Sequence, residues 1–325
     1  MNRRNGMLVS TLALAALVAA GAAMAQEAFP SRPLRMIVGY APGGGTDIFA
    51  RVLAERLARP LGQPVVVENR AGANGNIAAG QVARAAPDGY QLLFVVNSHV
   101  TAADTAAELP YDPIRDFSPV ALAVSTPLLL VANAQFAPST VRELIAQAKA
   151  APGRTTFGSP GQGSPAHLAI EMLKSMAGVD IQVVHYKGAG PAQADVIAGH
   201  VNLQMPTFAQ GFPPVKAGKL KLLGQTASTR SGLAPDVPTV AEAGLPGFGA
   251  EIWFALLAPS ATPGPVIAKL NGAMNDVLAA PENVMRLREL GGDPIGGTPE
   301  RALAVMREDQ AKWRKVIRDI GLKPN

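Results

Sequence analysis

The sequence predicts an α/β fold, and three observations carry that reading. Strand-like runs rich in Val, Ile and Leu alternate with helix-like runs along the chain. Several of these strands are continuously apolar rather than alternating, the pattern of a strand buried on both faces with helices on either side of its sheet. Three strand-to-helix junctions are short Gly/Pro/Ser-rich turns. Leu34–Tyr40 leads into Ala41-Pro42-Gly43-Gly44-Gly45-Thr46-Asp47. Thr155–Gly158 leads into Ser159-Pro160-Gly161-Gln162-Gly163-Ser164-Pro165, and Ile181–Lys187 leads into Gly188-Ala189-Gly190-Pro191.

The N-terminus reads as a leader. Arg3 and Arg4 precede an apolar stretch from Met7 to Ala20, and Ala23-Met24-Ala25 is an A-x-A cleavage site. Cleavage after residue 25 would leave 300 residues. Expected strands are Leu34–Tyr40, Val65–Glu68, Gln91–Val96, Ser125–Ala132, Thr155–Gly158, Ile181–Tyr186 and Leu220–Gln225. Thr46 is expected to cap a helix through Arg59, with Ile48, Val52, Leu53 and Leu57 inward. Thr140-Val141-Arg142-Glu143 has capping-box spacing, with Gly153 beyond the helix end. Ser164-Pro165, Thr262-Pro263 and Thr298-Pro299 each place a cap and a proline before a helix. In the last helix Met306, Trp313, Val316 and Ile320 form a stripe for core packing.

Two crossovers divide the chain. Pro127 interrupts an apolar run near Val124–Leu128, and Gly244, Pro246, Gly247 and Gly249 crowd before Trp253. With hinges there, residues 26–124 plus 251–325 form one lobe and residues 125–250 the other.

Composition narrows the function. The chain has no cysteine, so an exported protein of this length relies on its core rather than on disulfides, and no thiolate metal site exists. Without Arg3 and Arg4 there are 27 basic against 24 acidic side chains, scattered rather than clustered, which argues against nucleic acid. The four histidines, His99, His167, His185 and His200, have no metal-ligand spacing.

Each of the three turns should leave helix N-terminal N–H groups facing open space, a site for an anion. The first turn lacks the Lys-Ser/Thr of a phosphate loop and the spacing of a dinucleotide fingerprint. The second holds Ser159, Ser164 and His167 but no G-x-S-x-G, and no acid is placed to orient the histidine. Capture of a carboxylate rather than chemistry on it is therefore expected. The candidate site residues are Tyr40, Pro42, Gly43, Gly44, Gly45, Thr46 and Asp47 in the first turn. Ser159, Gly161, Gln162, Gly163, Ser164 and His167 come from the second, and Gly188, Ala189 and Gly190 from the third. Asp47 is expected to point away from the anion, to cap its own helix or to meet an ammonium group. No catalytic residue, metal or cofactor is expected.

These turns sit in an ordered series of short motifs. It includes Tyr40–Asp47, Val65-Val66-Val67-Glu68-Asn69-Arg70 with Gly72 and Gly75, Pro87-Asp88-Gly89-Tyr90 and Leu109-Pro110-Tyr111-Asp112. Asp116-Phe117-Ser118-Pro119-Val120, Gly158–Ser164 with His167-Leu168-Ala169, and Tyr186-Lys187-Gly188 follow. Arg230-Ser231, Pro235-Asp236-Val237-Pro238-Thr239, Glu242-Ala243-Gly244, Trp253 and Lys312-Trp313 complete it. In these residues the chain resembles the tripartite tricarboxylate transporter substrate-binding receptors, also called Bug-type receptors, over nearly all of its length after the leader. The resemblance implies a two-lobed, type II-like periplasmic binding protein, each lobe a mixed sheet flanked by helices, with its ligand in the cleft between lobes. It implies a small organic carboxylate as ligand and membrane transporter subunits as partners. The turns matching Pro42–Asp47 and Ser159–Ser164 act in that family as pincers, and the segment matching Gly188–Gly190 as another wall. His185 stands where the family usually has proline, Asn202 where it has aspartate, and Met205 near a common phenylalanine. The expectation is a monomeric periplasmic receptor rather than an enzyme. An exported sensor feeding a two-component system, or an enzyme acting on a carboxylate, are the alternatives.

Overall fold

Apolar strands and capped helices alternate, and strand pairing sorts them into two sheets. The computed structural model describes residues 29–231, 234–322 and 324; the leader expected at residues 1–25 lies outside the described residues. Leu34–Val38 (β1), Gly45–Leu61 (α1), Val65–Asn69 (β2), Asn76–Ala83 (α2), Gln91–Val96 (β3), Ser98–Thr105 (α3) and Phe117–Pro127 (β4) come first. The middle holds Leu129–Asn133 (β5), Val141–Ala150 (α4), Thr156–Ser159 (β6), Pro165–Ala177 (α5) and Gln182–His185 (β7). Ala189–Ala198 (α6), Leu203–Gln204 (β8), Phe208–Lys216 (α7) and Leu220–Gln225 (β9) follow. Glu251–Pro259 (β10), Gly264–Ala279 (α8), Pro281–Glu289 (α9), Asp293–Pro294 (β11) and Pro299–Asp319 (α10) end the chain.

The first sheet has the order β11-β4-β10-β3-β1-β2 and the second β7-β6-β8-β5-β9. Both are mixed. In the first, β1 runs parallel to β2 and β3, while β10 is antiparallel to β3 and β4. In the second, β6 is parallel to β7 and β8, while β5 is antiparallel to β8 and β9. The continuously apolar strands are central: β1, β3 and β10 are almost wholly buried, whereas β2 at the sheet edge is half-exposed. That is the burial expected for strands covered on both faces.

The run Ser125–Ala132, expected as one strand, is two. Ser125 to Pro127 pairs with β10 in the first sheet, and Leu129 to Ala132 pairs with β9 in the second. Pro127 lacks the N–H that would carry the ladder onward, so the chain changes sheet there. The return crossing is stitched to it by Thr226, which is fully buried. Leu128 N–H donates to its Oγ1 at 2.8 Å, Thr226 N–H donates to Leu128 O at 2.9 Å, and Ala250 N–H donates to Thr226 O at 2.8 Å.

Three predicted caps form. Thr140 accepts from Glu143 N–H, Ser164 from His167 N–H and Thr298 from Arg301 N–H, at 3.2, 3.2 and 3.3 Å. Two do not. Gly44 is the N-cap of α1, so Thr46 lies inside the first turn rather than capping it. Pro263 occupies the cap position of α8, which leaves Thr262 one residue too early to cap. Both helices start where backbone conformation, and not a hydroxyl, sets the boundary. In α10, Met306 and Trp313 are buried as expected, and Trp313 with Ile317 packs on Leu168 of α5. Among the described residues no helix is long and apolar enough to cross a membrane.

Candidate functional site

The first turn is held open by a buried brace. Gly43 adopts φ 81°, a left-handed conformation suited to glycine. Its N–H donates to Asp47 Oδ2 at 3.0 Å. Arg51 Nε donates to the same oxygen at 3.1 Å, and Asn69 Nδ2 donates to Oδ1 at 2.9 Å. Asn69 also donates to Tyr40 O at 3.0 Å, tying the turn to β2. Burial opposes ionisation of Asp47, but the hydrogen bonds from Arg51, the Gly43 amide and Asn69 outweigh it and hold the carboxyl below its usual range. Both oxygens are thus committed to the brace, which leaves no lone pair set aside for a ligand ammonium. The Gly45 and Thr46 N–H groups, at the first positions of α1, have no acceptor among the described residues.

The second turn is built by its own serines and histidine. Ser159 Oγ donates to Gly161 O at 2.9 Å and accepts from Gly161 N–H at 3.2 Å. Gly163 N–H donates to His167 Nδ1 at 3.0 Å, and Ser164 Oγ accepts from the His167 amide. His167 therefore receives a backbone proton donor and meets neither serine with a ring nitrogen. Burial, then the neighbouring His185 and Lys174, pull its pKa down to about 3, so the ring is neutral at neutral pH. At the start of α5 the Ala166 N–H has no acceptor among the described residues.

The third turn closes over the first. Ala41 N–H donates to Lys187 O at 3.2 Å across the cleft. A β-carbon at Gly188 would lie 2.9 Å from Ala41 N, and one at Gly190 would lie 2.6 Å from Pro42 O. A fourth helix start, absent from the sequence-based candidates, joins them. Thr207 is the N-cap of α7, and a β-carbon at Gly45 would lie 2.3 Å from its Oγ1. Gln204 and Gln210 both donate from Nε2 to Ala189 O, at 2.8 and 2.7 Å, which fixes the first residue of α6. Their Oε1 atoms and Thr207 Oγ1 are buried and without a partner among the described residues. The signal for this helix was present: Thr207-Phe208-Ala209-Gln210 has capping-box spacing.

Two spaces result. An inner chamber of about 50 Å³ is walled by Gly44, Gly45 and Thr46 of α1, Ser164, Pro165 and Ala166 of α5, Ala189 of α6, and Thr207 with Gln210 of α7. Four helix N-termini thus converge on one point. An outer cavity of about 550 Å³ shares Tyr40 and Pro160 with it, and adds Gly161, Gln162, Asn74, Ile77, Arg84, His185 and Lys187. Tyr40 stands between the two. Its hydroxyl donates to Asn74 Oδ1 at 2.7 Å and lies 2.8 Å from Ser98 Oγ, and burial pushes its pKa up to about 12.

Of the sequence-based candidates, Tyr40, Gly44, Gly45, Thr46, Ser164 and Ala189 line the inner chamber, and Gly161 and Gln162 line the outer cavity. Pro42, Gly43, Asp47, Ser159, Gly163, His167, Gly188 and Gly190 line neither; they shape or brace the turns. Asn202 is structural: its Oδ1 accepts from Thr156 N–H and Oγ1, at 2.9 and 3.0 Å. His185 instead faces the outer cavity, edge-on to His167 with ring centroids 4.8 Å apart. Trp253 lies in the core, where its Nε1 donates to Asp309 Oδ2 at 3.0 Å. Among the described residues no group of three His, Asp or Glu side chains could hold a metal ion.

Comparison with known proteins adds three kinds of likeness. The profile of the family described as tripartite tricarboxylate transporter family receptor matches residues 49–322. Protein BugT of Bordetella pertussis (strain Tohama I) is 37% identical over 320 residues, spanning 98% of this chain and 96% of that one. The structure of R. palustris Rpa4515 with adipate superposes with a TM-score of 0.89 at 34% identity, covering 91% of this chain and 100% of that one. MatC from Rhodopseudomonas palustris with bound malate gives 0.85 at 35% identity, covering 89% and 100%.

Proposed function

The chain belongs to the tripartite tricarboxylate transporter receptor family, and from that premise we propose that it is a periplasmic receptor, not an enzyme, for a small organic carboxylate. One observation carries the reading: helix N-termini from both lobes meet at a chamber with room for one carboxylate group. At about 50 Å³ the chamber is much smaller than the outer cavity of about 550 Å³ and suits one end of a ligand. The rest of the ligand lies in the outer cavity. Two solved relatives hold dicarboxylates, adipate and malate, which supports a ligand with two anionic ends.

The proximal donors are neutral. The first-turn amides of α1, α5 and α6 point at the carboxylate, and each hydrogen bond to a charged acceptor contributes about 1.5–3 kcal/mol. Three such bonds are of the order of micromolar binding, about −8 kcal/mol. No full positive charge has to be desolvated in the chamber. The braced Asp47, Ser159 and His167 hold the turns rather than touch the ligand.

Binding and closure are one event in this reading. The lobes, residues 26–124 plus 251–325 and residues 125–250, turn about the crossings joined by Thr226. In this reading the bond from Ala41 N–H to Lys187 O across the cleft belongs to the closed state. The closed receptor, a monomer, is what membrane transporter subunits accept. The test is a thermal-shift screen of organic acids, with mass spectrometry of the compound recovered from the protein. A ligand returned unchanged that raises the melting temperature supports the receptor; a ligand converted, or no carboxylate bound, refutes it.

A further inference from the structure

The outer cavity carries two cations that the proximal site does not use, one from each lobe. Arg84 ends α2, and its Nη1 and Nη2 each lie 3.6 Å from where a β-carbon on Gly80 would stand. The same point is 3.5 Å from Pro110. The guanidinium thus stands within ordinary contact distance of that point, on an exposed residue of the cavity wall. Lys187 reaches the cavity from the third turn, across the cleft. Among the described residues neither has an acidic partner within 4.0 Å. Glu108 is the acid on the wall, so the cavity carries two fixed positive charges against one negative. Ile77, 58% exposed, and Pro110 and Pro160 supply apolar wall between this end and the chamber.

We infer that Arg84 and Lys187 receive the second anionic group of the ligand, and that this pair sets the preference for dianions over monoanions. The inference rests on the carboxylate-receptor reading and adds the residues that read the far end. Its physics is that of differential affinity: a group held from both lobes is bound only in the closed state, so it shifts the equilibrium toward closure. Closure without that group brings two like charges into one cavity. A distal carboxylate cancels this repulsion and accepts from Arg84 in the planar, two-bond arrangement that guanidinium favours. A monocarboxylate of equal length gains the proximal amides and the apolar wall but leaves the cations uncancelled.

The test is calorimetric titration of adipate and hexanoate into wild type, Arg84→Gln, Arg84→Lys and Lys187→Gln. Wild type is expected to bind adipate at least about tenfold more tightly than hexanoate, the size of one charge-assisted bond. Arg84→Gln is expected to weaken adipate at least tenfold with hexanoate within twofold. Lys187→Gln should act in the same direction, and Arg84→Lys should recover part of the loss. Equal loss of both ligands in Arg84→Gln, or no loss of adipate in both Gln variants, overturns the inference and leaves the receptor reading standing. Equal wild-type affinity for the two acids does the same. A wild type that binds neither acid overturns the inference for this pair of ligands, and the receptor reading falls with it only if the organic-acid screen also finds no carboxylate bound.

Discussion

Gly45→Ala isolates lobe closure from lobe folding. Gly45 opens α1 in one lobe, and the atoms nearest its missing side chain belong to Thr207 in the other. A β-carbon would stand 2.3 Å from Oγ1, 2.5 Å from Cγ2 and 2.9 Å from Cβ. Rotating the threonine side chain relieves the first two contacts but not the third, so the lobes themselves must part. Overpacking of this kind costs about 1–3 kcal/mol. Since about 1.4 kcal/mol is tenfold, affinity should fall roughly 5- to 150-fold. The open lobe has no such conflict, and alanine is the better helix former, so the unliganded melting temperature should hold or rise slightly. Calorimetric titration with the carboxylate that the screen identifies reads the first effect and differential scanning calorimetry the second. Thr207→Gly in the same chain removes the clashing atoms and should restore most of the affinity. Unchanged binding in Gly45→Ala refutes the reasoning, as does a double variant no better than the single.

Three further outcomes follow from the brace and the caps. Ser164→Ala should lower stability by about 1 kcal/mol through the lost bond to the His167 amide, read by urea denaturation, and should weaken binding of the carboxylate that the screen identifies because Ser164 lines the inner chamber; retained affinity would place the anion elsewhere. Asp47→Asn should destabilise by about 1.5–3 kcal/mol and weaken aspartate and succinate alike, since its oxygens serve Arg51, Asn69 and Gly43; a loss confined to aspartate would restore an ammonium role. His167 is held near pKa 3 when folded against an ordinary 6.5, so below pH 6.5 the unfolded chain binds a proton that the folded chain refuses. Stability is full above that pH and falls as pH drops toward 3, by up to about 1.4 kcal/mol per pH unit for this group. His99, lowered by burial to about 4, adds to the slope. His167→Gln should flatten the fall between pH 6 and pH 4 by about one proton; an unchanged slope refutes the assignment.

Local grammar made much of this molecule readable in advance. Gln91–Val96 and Leu220–Gln225 occur with the bounds expected of them, and Ser164-Pro165 starts a helix as a cap followed by proline should. What local grammar lacks is the identity of the partner across the cleft. Ser125–Ala132 is apolar throughout, and only tertiary pairing shows that its halves belong to different sheets. Helix α7 follows a strand of two residues and has Pro213 and Pro214 in its second half, so the capping-box spacing at its start stands without a strong strand or helix pattern beside it. Thr207, Gln204 and Gln210 were missed for that reason. Arg84 was missed because a basic residue at a helix end is ordinary until the fold places it on the wall of the outer cavity.

The glycines of the three turns look, in sequence, like an adaptation to an anion, yet several of them face protein. Gly45 meets Thr207, Gly188 meets Ala41, and Gly190 meets Pro42. Gly163 would press a β-carbon to 2.6 Å from Thr105 Oγ1, and Gly291 to 2.0 Å from Phe208 Cβ. Each pair spans the two lobes. A helix N-terminus needs no glycine to bind an anion, because the donors are backbone N–H groups in any sequence. What removing side chains at these points achieves is approach: amides from opposite lobes reach one carboxylate only when nothing stands between the lobes. The turns thus set the closed distance as well as the binding surface, which couples capture to closure. It follows that side chains added at Gly45, Gly163 or Gly291 should weaken every carboxylate in proportion, whereas changes at Arg84 should sort one ligand from another. A panel of acids titrated against both sets of variants separates these classes, and ligand-selective loss at the glycines would break the coupling proposed here.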